Sequence, residues 1–93
     1  LYLYAQDNIF DSVSLNTSYF QFKVDNTTEI GSFNYSGSTT VFTNISSLST
    51  GILTGLDYHN TTNTAEIDLL ITVPQSEPTG SKSSNLIFIG EAS

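Results

Sequence analysis

Ala65-Glu-Ile-Asp-Leu-Leu-Ile-Thr-Val73, Pro74-Gln-Ser-Glu-Pro78-Thr-Gly80 and Ser84-Asn-Leu-Ile-Phe-Ile89 form the stretch that decides how this chain folds. Ile67, Leu69, Ile71 and Val73 recur at every second position, with Glu66, Asp68 and Thr72 between them. Period two marks a strand with one buried face. Pro74 ends it, because proline has no N–H to give a ladder. Pro78-Thr79-Gly80 supplies turn chemistry, and Leu86 to Ile89 resumes as a strand apolar on both faces. The two are joined by a loop of about ten residues, longer than a tight hairpin.

Other stretches carry the same kind of pattern. Leu1-Tyr-Leu-Tyr-Ala5 is strand-prone. Val13 and Leu15 mark a short strand, and Tyr19-Phe-Gln-Phe-Lys-Val24 alternates with Phe20, Phe22 and Val24 inward. Asp25-Asn-Thr-Thr28 is a turn; Ile30, Phe33 and Tyr35 mark a strand with a bulge at Gly31. Thr40 to Ile45 and Gly51 to Leu56 are extended again, and Asp57 to Thr64 is a polar loop. No window carries a helical period. The expected fold is all-β: one domain over residues 1–93, an immunoglobulin-like or jelly-roll-type antiparallel β-sandwich of about seven to eight strands. Phe20, Phe22, Ile67, Leu69, Ile71 and Phe88 are its expected core.

The composition narrows the function. Ser, Thr and Asn make up 35 of the 93 residues, and the net charge is −7 with Lys23 and Lys82 the only cations. Nucleic-acid binding needs basic patches and is excluded on that ground. Attraction to anionic lipid is disfavoured for the same reason, and no apolar run is long enough for a membrane-spanning helix. With no cysteine there is neither a disulfide framework nor a thiolate metal site. The lack of methionine predicts a processed product or an excised domain.

Asn16-Thr-Ser18, Asn26-Thr-Thr28, Asn34-Tyr-Ser36, Asn44-Ile-Ser46 and Asn60-Thr-Thr62 all match the N-glycosylation acceptor pattern. Eight asparagines in a chain with 27 Ser and Thr among 93 residues would give about two matches by chance, so five is an excess. N-linked glycans on Asn16, Asn26, Asn34, Asn44 and Asn60 would place the protein outside the cell.

Catalysis finds no support. His59 is the only histidine and sits in a polar loop, whereas a hydrolase base must be held by a buried acid. Asp7, Asn8 and Asp11, or Asp25 with Glu29, could lend oxygens to Ca²⁺, but neither set has the spacing of a calcium loop and both read as solvated turns. The five tyrosines suit core or interface duty better than a sugar groove. The reading is therefore a non-enzyme with no cofactor and no metal.

Leu86, Ile87, Phe88 and Ile89 at one end, and Leu1, Tyr2, Leu3, Tyr4 and Ala5 at the other, are apolar on both faces. Such strands are either covered on both sides or completed by another chain. Residues 1–6 are thus a candidate exchanged strand, with Leu86–Ile89 its candidate acceptor.

The run Ile71-Thr-Val73-Pro74, Pro78-Thr-Gly80, Leu86-Ile-Phe88 resembles the closing strands of small Ig-like domains in archaeal and bacterial cell-surface proteins. With the Thr/Asn richness, the sequons and the absence of cysteine, the chain is similar to subunits of archaeal surface filaments assembled by donor-strand complementation. It departs from that ending at Lys82, where a tyrosine is usual. The resemblance covers about 25 residues and carries no active-site residues. It implies an extracellular, glycosylated homo-polymer: the structural subunit of a pilus-like thread. The alternative is an Ig-like binding or adhesion module of a larger surface or S-layer protein.

Overall fold

The computed structural model describes residues 1–28, 30–56 and 64–90. Among these there are six strands: β1 (Tyr2–Ala5), β2 (Phe20–Asp25), β3 (Thr43–Asn44), β4 (Thr50–Gly51), β5 (Glu66–Ile71) and β6 (Leu86–Ile89). A single 3₁₀ turn spans Tyr35–Gly37. The strands form two antiparallel three-stranded sheets, ordered β4-β1-β6 and β3-β2-β5. The fold is all-β, as the alternation in β2 and β5 predicts.

Each sheet has its most regular strand at the centre. β2 runs buried and half-buried by turns, with Phe20, Phe22 and Val24 inward. β1 does the same with Leu3 and Ala5. These five side chains meet Phe33, Ile45, Ile52 and Leu53 in one apolar cluster. Both sheets therefore share a single core, and full burial of each of its Phe, Leu, Ile or Val side chains contributes roughly 1.5 to 3 kcal/mol.

Several expected strands are absent or shortened. Val13 to Leu15 joins no strand and follows a bent path, with Leu15 N donating to Asn8 Oδ1 at 2.9 Å. The segment from Ile30 to Tyr35 is turn rather than bulged strand: Gly31 takes φ +92°, a left-handed value that glycine adopts without penalty. The Asn34 side chain then caps the 3₁₀ turn by accepting from Gly37 N at 3.2 Å. Of residues 40–45 only Thr43–Asn44 pair as a strand, and of residues 51–56 only Gly51 belongs to one. Both pieces are short because the chain between them leaves one sheet and joins the other.

The expected core needs a larger correction. Phe20 and Phe22 are buried and Ile67 packs on the cluster, but Leu69, Ile71 and Phe88 are 47, 49 and 46 % exposed. Their face is the one expected. Ile67, Leu69 and Ile71 lie opposite Val24, Phe22 and Phe20, and Phe88 lies opposite Leu3. Directly opposite residues of an antiparallel pair share a face. What differs is position, since β5 and β6 are the last strands of their sheets.

Candidate assembly surface

The molecule has a closed side and an open side. On the closed side the chain from Thr39 to Leu53 laces the sheets together. Val24 N donates to Thr39 O at 2.7 Å and Ile45 N to Phe20 O at 3.0 Å; Ala5 N donates to Ser46 O at 3.0 Å and Ile52 N to Leu1 O at 2.9 Å. β3 and β4, joined by this crossing, are the edge strands of that side.

β5 and β6 are the other edge strands of the two sheets. β5 is zipped to β2 over six residue pairs from Phe20↔Ile71 to Asp25↔Glu66. β6 is zipped to β1 over four, from Tyr2↔Ile89 to Ala5↔Leu86. Among the described residues no strand pairs with the outer edge of either. Leu69, Ile71 and Phe88 on the inward faces, with Leu70, Val73 and Ile89 beside them, leave an apolar strip in water. An edge with free N–H and C=O groups and apolar side chains on both faces is a template for another strand.

Leu1, Tyr2, Leu3, Tyr4 and Ala5 lie in the middle of their own sheet, between β4 and β6. The pairing expected between Leu1–Ala5 and Leu86–Ile89 occurs here within one chain.

The long connection from β5 to β6 is pinned at one point. The Glu77 side chain is 1 % exposed. Its Oε1 accepts from Ser12 N at 2.9 Å and Ser12 Oγ at 2.7 Å. Its Oε2 accepts from Asp11 N at 2.9 Å and meets Lys82 Nζ at 2.7 Å. Lys82 also donates to Asp11 Oδ2 at 3.1 Å. Burial by itself would raise the Glu77 carboxyl, but these bonds, that of Lys82 foremost, outweigh it and hold the group at about 2. The bond to Glu77 in turn raises Lys82. Lys82 is thus the counter-ion of a buried carboxylate and also pairs with Asp11.

Sequence reading missed a second acidic group. The β2–β5 register brings Asp25, Glu66 and Asp68 together, with one carboxylate oxygen of each within 4.8 Å of the others. Lys23 lies 3.8 Å from both Asp25 and Asp68 and 5.2 Å over the Phe42 ring. A hydrogen bond to Asp68, then its charge, holds Glu66 above the ordinary carboxyl range. The only sequence signal was the acidic ends of two strands that happen to pair. Glu29, the partner expected for Asp25, lies outside the described residues, as do His59 and Asn60.

Two sequons, at Asn16 and Asn44, lie on the closed side. Asn16 N donates to Ile45 O, Asn34 N donates to Thr54 O, and Asn44 belongs to β3. Asn26 follows β2, beside the Thr27–Thr64 hydroxyl contact of 2.8 Å that links this turn to the approach to β5. Residues 64–90, which hold both open-side strands, contain no sequon. No helix among the described residues is long and apolar enough to cross a membrane. Comparison with protein-family models, with curated proteins and with solved structures gives no match to this chain.

Proposed function

We propose that the chain is a structural subunit of an extracellular filament or pilus-like thread, built on an Ig-like or jelly-roll-type sandwich and assembled by strand complementation. The observation that carries this reading is the open side: β5 and β6 leave the inward faces of both sheets half uncovered along free edges. An extended segment of a neighbouring subunit that adds there supplies the missing main-chain bonds and covers Leu69, Ile71 and Phe88. Leu86–Ile89 serves as acceptor on its outer edge. Exchange of Leu1–Ala5 into the slot it holds here is the separate route to a polymer, and it leaves both outer edges free. The sequons support an outside location, and none of them falls within residues 64–90. The function needs no catalytic group, cofactor or metal.

The test is assembly of the full chain, followed by negative-stain microscopy and sedimentation. Ile71→Lys with Phe88→Lys puts charge on both edges and should abolish polymer while leaving the β-sheet circular dichroism intact, because lysine on an edge discourages pairing. A wild-type chain that stays a monodisperse monomer, or a double variant that polymerises like wild type, overturns the reading.

A further inference from the structure

We infer that the folded chain presents Asn16 as an acceptor for N-linked sugar and withholds Asn44, although the two are equivalent as sequence motifs; its use in the cell rests on the glycoprotein part of the reading above. Transfer joins Asn Nδ2 to the anomeric carbon of a sugar carried on a polyprenyl phosphate or diphosphate. The carbon–oxygen bond to phosphate breaks, the phosphate leaves with the bonding pair, and the amide nitrogen gives up one proton to a base of the transferase. The amide must therefore be reachable and able to rotate.

Asn16 meets both conditions. It is exposed, at φ +63°, a left-handed value asparagine tolerates in turns. Its backbone is fixed, with N donating to Ile45 O at 2.8 Å and O accepting from Asn44 Nδ2 at 3.4 Å. Among the described residues its side-chain amide makes no hydrogen bond, so the turn is held while the reacting group is not.

Asn44 is the reverse. It is half-buried on β3, opposite Gln21 of β2. Its Oδ1 accepts from Gln21 Nε2 at 2.9 Å, and its Nδ2 is the donor to Asn16 O. The amide bridges two strands and the Asn16 turn, and rotating it into a transferase breaks both ties. Asn34 lies between the two cases. Its Oδ1 accepts from Gly37 N and from Ser36 Oγ, the hydroxyl of its own sequon, each at 3.2 Å. Reaction there requires the capped turn to open.

The experiment uses a purified single-subunit oligosaccharyltransferase, its lipid-linked oligosaccharide, the folded chain, and synthetic peptides covering residues 11–22 and 39–50. Site occupancy over time is read by glycopeptide mass spectrometry, and each rate in the folded chain is divided by that of its own peptide. The ratio should stay within about threefold of one at Asn16 and fall at least about tenfold at Asn44, in keeping with loss of two hydrogen bonds. Equal ratios at the two sites, or no transfer to folded Asn16 while its peptide reacts, overturn the inference. Intact mass of the native protein is the separate check on the reading it rests on. A sugar-free native mass removes the extracellular glycoprotein and leaves these ratios as they are.

Discussion

Ile45 and Leu69 are both aliphatic residues beside β2, one following β3 on the closed side and one in β5 on the open side. Ile45 N bonds to Phe20 O, and the side chain disappears into the core, because the chain continues past it to Ser46 and the other sheet. Leu69 lies opposite Phe22 in regular register and is as well placed on its face, yet among the described residues no strand lies beyond it. A side chain on the inward face of a sheet is buried by what packs over it and beside it. At a free edge half of that surrounding is missing.

The largest effect should separate these two residues. Ile45→Ala should cost about 2 to 5 kcal/mol in chemical denaturation, enough to threaten a small domain, whereas Leu69→Ala should cost less than about 1 kcal/mol in the monomer. Equal losses would mean that the open side is covered in the isolated chain. In assembled material the contrast should shrink, since a bound strand gives Leu69 the cover it lacks.

The next effect concerns the pin on the open-side connection. The folded Glu77 carboxyl sits at about 2, below its ordinary 4.5. Its contribution is therefore fully present above pH 4.5 and is lost as the pH falls toward 2. Denaturation midpoints measured from pH 5 to pH 2 should fall more steeply in wild type than in Glu77→Gln. Parallel curves would break the assignment.

Strand exchange can be read without a large change in stability. The chain has no cysteine, and Tyr4 lies opposite Ile87 at a spacing a disulfide can span. Tyr4→Cys with Ile87→Cys should link within one chain in the monomer. If β1 is the exchanged strand, oxidised polymer should run as a covalent ladder on non-reducing gels, and intrachain links alone would exclude exchange. The smallest effect is local. Asp68→Asn should bring the Glu66 titration down toward the ordinary carboxyl range, as followed by NMR, because Asp68 is what raises it.

Much of the all-β fold was legible in residue order. The alternation of β2 and β5 stands in the sequence, as do the stop at Pro74 and the two-sided character of Leu1–Ala5 and Leu86–Ile89. Ile30 to Tyr35 was misread because Asn34 and Gly31 build a turn from local side-chain and φ preferences, which an apolar tally does not register. The clamp of Glu77, Lys82, Asp11 and Ser12 left no sequence signal, since Lys82 and Asp11 are 71 positions apart. The Asp25–Glu66–Asp68 group depended on register.

Spacing and local chemistry in the sequence are enough for the regular strands β1, β2, β5 and β6, for the inward face of β2 and β5, and for the five acceptor motifs. Which strands are central, which are edges and which asparagine amides are free came only with the tertiary structure. Those are properties of neighbours, and neighbours are set by how distant segments pair.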